Sequence, residues 1–495
     1  MNTGGSGTDV ILIQPRYRLG RAPARRKALP LGLLTIATPL DLAGYKVRIL
    51  DQRLEPDWEQ ILLAELKTKP VCVGVTSMTG AQIWWGLKAS EVVKRNSDVP
   101  VVWGGVHPSL LPRQTLENPY VDVVVQGEGE ETFFELVEAL GNKKPLDKVQ
   151  GIWYKEGGNI KQNPPRPFID LNRQPPISYH LVNIWQHMMN ISGRDALPIE
   201  SSRGCPFNCA FCYNTSFQQR QWRALTAEQM LLRIKRVIDE YGLRGFAFSD
   251  DNFFTDPNRA HQILDGMVKQ RFDIVWGKGD IRLDLLSQLD GDFLHLIERS
   301  GCLSLAIGIE SGSQRIADLL RKETDISRAV PVNRRLARYR MHLQYLFLIG
   351  TPGETEADLA ETVSLMLRLV DENQNAAEGV NIFVPYPGTE LFDLAVQYGL
   401  PVPRKLEEWI PFSWINRRLD YPWLSVEIRK LIQMLSFCSV FLAKDREMKL
   451  FQDIHPFISF VAALYQPVAR RRIQGHHYRF LPELKIAELL GFRGY

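Results

Sequence analysis

Three cysteines lie close together in "RGCPFNCAFCY", residues 203 to 213: Cys205, Cys209 and Cys212, spaced Cys-x3-Cys-x2-Cys. Thiolates so grouped hold metal or exchange disulfides. A structural zinc ion wants four protein ligands closing a tetrahedron, commonly two Cys-x-x-Cys pairs. Here the next cysteine is Cys302 and no nearby histidine follows, so the ligand count falls short. A redox pair would use only Cys209 and Cys212 and leave Cys205 unexplained. An iron–sulfur cube held by three thiolates keeps one iron without a protein ligand, and that vacancy is a place for chemistry.

The rest of the chain bounds what surrounds this loop. With 495 residues it is long enough for two to four domains, each burying its own core. Cys72, Cys302 and Cys438 sit singly in apolar runs and read as buried, inert thiols, which excludes a disulfide framework and favours a reducing cytoplasm. The opening "MNTGGSGTDVILIQ" lacks the basic region, apolar run and small-residue site of a secretory leader. Apolar stretches such as that between Lys430 and Lys444 are cut by charge before the roughly 20 residues a membrane helix requires, so no transmembrane segment is expected. Sixty Lys and Arg against 56 Asp and Glu leave a net charge of +4, too small for this length to indicate a nucleic-acid partner. The basic clusters "RAPARRK" (21 to 27) and "ARRRIQ" (469 to 474) read as solvated turns.

The elements that must position the cysteines are α/β. Between Asp9 and Gly141 the runs "VILIQ", "YKVRILD", "VCVGVTS", "VPVVWGG" and "VDVVVQG" read as strands, each followed by a helical pattern. That alternation predicts a doubly wound parallel sheet over residues 1–150. Such sheets bind ligands outside the carboxyl ends of their strands, which singles out "TSMTG" (76 to 80), "GGVHPS" (104 to 109) and "QGEGE" (126 to 130). Residues 151–196, with "QNPPRPFIDLNRQPPIS", read as a proline-rich linker. A second alternation over 197–390, from "ALPIESSRG" to "NIFVPYPGTE", predicts a parallel barrel or part of one. Residues 391–495 turn helical and aromatic. The cysteine loop follows the first strand of the second alternation, where a barrel places its active site.

Cys205, Cys209 and Cys212, with Tyr213 directly after, resemble the signature loop of radical S-adenosylmethionine (SAM) enzymes. The resemblance implies a [4Fe–4S] cluster whose open iron chelates the methionine amino and carboxylate groups of SAM, and an electron that cleaves the sulfonium to a 5′-deoxyadenosyl radical. It carries further residues with it. In "FSDDNF" (248 to 253), Asp250 and Asp251 fall where related enzymes place a motif near the SAM amino group, although either could instead cap a helix. "IGIESGS" (307 to 313) is similar to a segment whose glutamate, here Glu310, contacts SAM; a carboxylate directly after an apolar strand rarely serves packing. Lys278 and Arg282 of "GKGDIRLD" offer cations to carboxylates, and Gly350 of "FLIGTPGE" offers backbone to adenine.

Beside that core, the amino-terminal sheet is similar to the cobalamin-binding domain preceding it in a large subgroup. The resemblance places the dimethylbenzimidazole tail beside Ser77, Met78, Thr79, Gly104, Gly105 and Gly127. Cobalamin-dependent mutases and methionine synthase carry Asp-x-His-x-x-Gly after the first strand, and its histidine ligates cobalt. This chain has "PRYRLGRAPARRKALPLG" there, and its first histidine is His107, so base-off cobalamin without a histidine ligand is expected. His107 is expected to cap its loop or touch the corrin. Trp84 and Trp85 either line the cobalt's lower face or pack the core.

Together these features imply a cobalamin-dependent radical SAM methyltransferase: one SAM methylates the cobalamin, a second yields the radical that abstracts a substrate hydrogen, and the substrate radical takes the methyl group. A cyclase or other ring-forming enzyme with the same motifs is the main alternative, and a cobalamin or iron–sulfur sensor without turnover the alternative of another class. An organic substrate with apolar surface, covered by residues 391–495, and an external electron donor such as flavodoxin or ferredoxin complete the expectation.

Overall fold

The computed structural model describes residues 7–19, 28–191, 194–413, 415, 418–442 and 456–475. The basic cluster at 21 to 27 lies outside the described residues, whereas the one at 469 to 474, read as a solvated turn, is the last turn of a helix, Pro456–Gln474, that buries Ala469 and Ile473. Two compact units emerge, one from residues 1–188 with 401–416, the other from 189–400 with 417–495.

The first unit is built on a parallel sheet of β1 (Val10–Gln14), β2 (Val47–Asp51), β3 (Cys72–Thr76), β4 (Val101–Gly104) and β5 (Val123–Val125). Helices on both faces bury β1 and β5 throughout and most of β3 and β4, which is why these runs are largely apolar rather than alternating. The order β2-β1-β3-β4-β5 puts the topological switch between β1 and β3. An antiparallel hairpin, β6 (Ile152–Glu156) and β7 (Asn159–Gln162), then extends the same sheet from β5. It lies in the stretch read as a linker. Its alternating "IWYKE" is a half-buried strand pattern, which the nearby prolines overshadow.

The segment 401–416 joins this unit rather than the helices after it. Asn118 Nδ2 donates to Glu407 Oε1 (2.6 Å), Gln114 Nε2 to the Pro403 carbonyl (3.1 Å), and the buried Trp409 returns its Nε1 to Gln114 Oε1 (2.7 Å). The last hundred residues are therefore not a single covering element.

In the second unit the strands Arg194–Ile199, Gly245–Phe248 and Val275–Gly277 pair in parallel, as do Gly279–Arg282, Ser304–Glu310, His342–Ile349 and Ala376–Ile382. A parallel bridge between Trp276 and Cys302 joins the two sets into a half-barrel. Lys278 marks the step between them, in left-handed backbone at φ +57°. The helix Val426–Cys438 packs beside the last strand. Among the described residues no helix is long and apolar enough to cross a membrane. None of the six cysteines forms a disulfide, and Cys72, Cys302 and Cys438 are buried; burial pushes the Cys72 thiol up to about 12.

Candidate functional site

The cysteine loop leaves the carboxyl end of Arg194–Ile199 through Gly204, and only glycine fits there. Its φ is +78°, and a Cβ would stand 2.1 Å from the Gln221 carbonyl oxygen, because Ser202–Arg203 pairs with Arg223–Ala224 alongside. Beyond the turn, Ala210 ties the loop to its surroundings: its N–H donates to the Leu320 carbonyl (2.9 Å) and its carbonyl accepts from Leu391 N–H (2.9 Å). Cys209 is buried, whereas Cys205 and Cys212 are half-buried. Burial raises both of the latter thiols, Cys212 to about 12, and each feels the neighbouring sulfurs and Asp251.

A cation stands beside the loop. Arg282 donates from Nη1 to Cys209 Sγ (3.5 Å). No three His, Cys, Asp or Glu side chains among the described residues converge on one point. A cube takes each thiolate on a different iron, so its three ligands need not meet at one point. The donor set fits an iron–sulfur cluster.

Asp250 is spent within the protein. Its two oxygens accept from Ser201 N–H (2.8 Å), Ser201 Oγ (2.5 Å) and Ser202 Oγ (2.6 Å), and buried Arg259 binds the Ser201 carbonyl (2.8 Å). Asp251 accepts from Gly204 N–H (2.9 Å) and still reaches solvent, so of the two it faces the opening. Neither caps a helix; Asp256 does that for Pro257–Lys269. Lys278 is exposed and feels Asp280 as a countercharge, and burial, reinforced by Asp250 and Asp251, pushes Asp280 up to about 7.

Glu310 ends its strand at a bulge, with φ +72°, and is buried against Lys322 (Nζ to Oε1, 2.8 Å). Gly350 has both backbone groups engaged: its N–H donates to Glu354 Oε2 (2.5 Å) and its carbonyl accepts from Trp423 Nε1 (3.0 Å). What it can offer a ligand is surface rather than those polar groups. Burial holds Glu354 up at about 8. Tyr213 meets Phe217 and Tyr386 edge-on (6.4 and 6.3 Å), giving the loop an aromatic wall.

In the first unit the singled-out residues converge on the carboxyl edge of the sheet. Ser77 N–H donates to the Gly104 carbonyl (2.9 Å), and His107 N–H to the Ser77 carbonyl (3.1 Å). Gly105, at φ +94°, lets these loops touch; a Cβ would lie 2.9 Å from Thr76 Oγ1. Met78 is exposed, and at Gly127 a Cβ would meet nothing within 4 Å, so this edge presents an open, small-residue surface that fits a flat organic tail. His107 is fully buried, bonded through Nδ1 to Thr79 Oγ1 (2.9 Å) and edge-on to Trp409 at 5.8 Å. Its Nε2 has no hydrogen-bond partner among the described residues, and burial alone pushes the imidazole down to about 3, keeping it neutral. Trp85 is occupied by Arg16 stacked 4.5 Å away, with Trp84 edge-on.

Sequence reasoning passed over Lys322, Phe207, Asp280 and Trp409. Lys322 lies in "LRKETD", indistinguishable from a solvated charge run, and Trp409 is remote in sequence from the loop it covers. For Asp280 a signal existed: a carboxylate inside the strand Gly279–Arg282, where side chains alternate between the two faces.

Two stretches of the chain match known families. Residues 17–137 match the B12 binding domain family and residues 199–366 the radical SAM superfamily. An uncharacterized methyltransferase of Pyrococcus horikoshii is 29% identical over 437 residues, covering 87% of this chain and 91% of that protein. The anaerobic magnesium-protoporphyrin IX monomethyl ester cyclase of Rubrivivax gelatinosus is 27% identical, covering 77% and 69%. The radical S-adenosylmethionine methyltransferase TsrM from Kitasatospora setae, solved with tryptophan and a SAM analog, superposes with a TM-score of 0.69 at 16% identity, covering 94% of this chain and 99% of that one.

Proposed function

We propose that the chain, which carries a B12 binding domain and a radical SAM domain, is a cobalamin-dependent radical SAM enzyme that methylates an unactivated carbon of an organic substrate with substantial apolar surface. The observation that carries the reading is the three-cysteine loop at the carboxyl end of a half-barrel, in a chain whose other unit presents an open small-residue edge. Methyl transfer is favoured by the Pyrococcus methyltransferase, which matches nearly from end to end. When bound, the cluster supplies the electron that cleaves SAM and the cobalamin supplies a carrier for the methyl group.

Each residue then has a stated task. Cys205, Cys209 and Cys212 hold the cluster. Asp251 and Lys278, accessible and of opposite charge, meet the amino and carboxylate groups of SAM, and Glu310, fixed by Lys322, borders them. Asp280 Oδ holds or gives up a proton near neutral pH. Tyr213 and Tyr386, half-buried and edge-on, give aromatic surface for the substrate, and half-buried Trp423, backed at 4.7 Å by the fully buried Tyr421, adds to it. Ser77, Met78, Thr79, Gly104, Gly105 and Gly127 border the cobalamin tail, while His107, sealed under Trp409 and bonded to Thr79, supports base-off binding without an imidazole ligand. The reductant is external, a flavodoxin or ferredoxin, in the reducing cytoplasm that cysteines without disulfides favour.

Cyclisation is the second reading, favoured by the Rubrivivax cyclase. Deuterated-methyl SAM separates the two. Under methylation the label enters the product, as mass spectrometry reads; a product that gains a ring and no label overturns the proposal in favour of the cyclase reading.

A further inference from the structure

Arg282 is a cation from which the sequence leads one to expect a contact with a ligand carboxylate, yet its guanidinium is committed inside the protein. It is 5% exposed. Its Nε donates to Asp284 Oδ1 at 2.9 Å, its Nη2 to the Lys322 carbonyl, and its Nη1 to Cys209 Sγ at 3.5 Å. The guanidinium carbon also lies 3.8 Å from the ring centroid of Phe207, a cation–π contact with the residue midway between Cys205 and Cys209. One side chain thus holds the cysteine loop at two points from the end of strand Gly279–Arg282, while Asp284 and the Lys322 carbonyl fix the fork in place.

We infer that Arg282 is a positioning residue that clamps the cysteine loop and raises the cluster's reduction potential through its hydrogen bond to the Cys209 sulfur. The inference rests on the cluster reading of the three cysteines and adds how this chain tunes that cluster. A hydrogen bond to a ligating sulfur draws electron density from it, and a buried positive charge stabilises the extra electron of the reduced cluster; both act in the same direction. Lys322, whose ammonium also feels the Cys209 sulfur, adds to the field but is compensated by Glu310. Arg282 is compensated by Asp284 on its Nε edge and turns its Nη1 edge to sulfur.

The test uses the full chain, reconstituted anaerobically, with iron and sulfide counted and the midpoint potential read by electron paramagnetic resonance at poised potentials. Arg282→Gln removes the charge and the fork; the reduction equilibrium is expected to fall at least tenfold, a drop of about 59 mV for a one-electron couple. Arg282→Lys, which keeps charge without the planar fork, is expected to fall between the two. A glutamine variant that carries the full cluster at the wild-type potential overturns the inference. If that variant does not load, the lysine variant decides, and an unchanged potential there overturns it equally. A wild-type chain that binds no cluster would instead refute the cluster reading itself, so the two failures are distinguishable.

Discussion

Lys322→Met tests how the far wall of the site is held. Lys322 and Glu310 approach to 2.8 Å, with side chains 6% and 12% exposed. At an effective dielectric constant of 20 the gross attraction at that distance is about 6 kcal/mol, most of it offset by taking two ions out of water. The net worth of the pair is therefore small, but removing one partner strands a buried charge, at a cost of about 3–5 kcal/mol. For a unit of this size, with thermal shifts of about 2 °C per kcal/mol, the transition of the second unit should fall by about 6–10 °C. Scanning calorimetry on the full chain, whose two units need not melt together, follows it. The double variant Glu310→Gln/Lys322→Met removes both charges and should regain most of the loss. A single variant that melts within 2 °C of wild type, or a double variant no better than the single, refutes the reasoning.

Other outcomes follow from the same geometry. Gly204→Ala forces a Cβ to 2.1 Å from the Gln221 carbonyl and an alanine into left-handed backbone, about 1–2 kcal/mol before any clash, so reconstituted protein should lose most of its iron; full iron content contradicts the loop assignment. His107 sits at about 3 in the fold against about 6.5 unfolded, so protons favour the unfolded state. Its contribution is intact above about pH 6.5 and drains by about 1.4 kcal/mol per unit as pH falls toward 3, and His107→Gln should flatten that part of the acid limb; parallel limbs refute it. The cob(II)alamin form should show no superhyperfine splitting from a protein nitrogen, which histidine labelled with nitrogen-15 would reveal if His107 were a ligand. Alanine at Cys205, Cys209 and Cys212 together should abolish 5′-deoxyadenosine formation, and any product retained by the triple variant removes the cluster from the mechanism.

What the sequence made legible was local. Val10–Ile13 are apolar because both faces of β1 are covered, and that run names a parallel strand without knowledge of its partners. The cysteine spacing likewise lies within eleven consecutive residues. Illegible was whatever depends on residues distant in sequence. Nothing near "RKETD" says that Lys322 is buried, since the glutamate that compensates it is twelve residues earlier and the guanidinium that binds its carbonyl forty. Nothing near Trp409 says that it covers His107, three hundred residues before it.

The same division applies to Arg282, whose guanidinium donates to Asp284, Cys209 and the Lys322 carbonyl. Sequence displays the charge of a side chain but not the donors already spent, and an arginine with free donors reads the same as one fully committed. Asp250 makes the complementary case: adjacent to Asp251 and of the same type, it is taken up by Ser201 and Ser202, while its neighbour keeps a path to solvent. Successive residues leaving a strand point to opposite sides, so a pair of identical carboxylates there divides into one that builds the loop and one that can serve the opening. An Asp250→Asn variant should therefore weaken the loop, seen as lower iron content, whereas Asp251→Asn should keep more of its cluster and weaken SAM binding; the reverse pattern would show that the division is wrong.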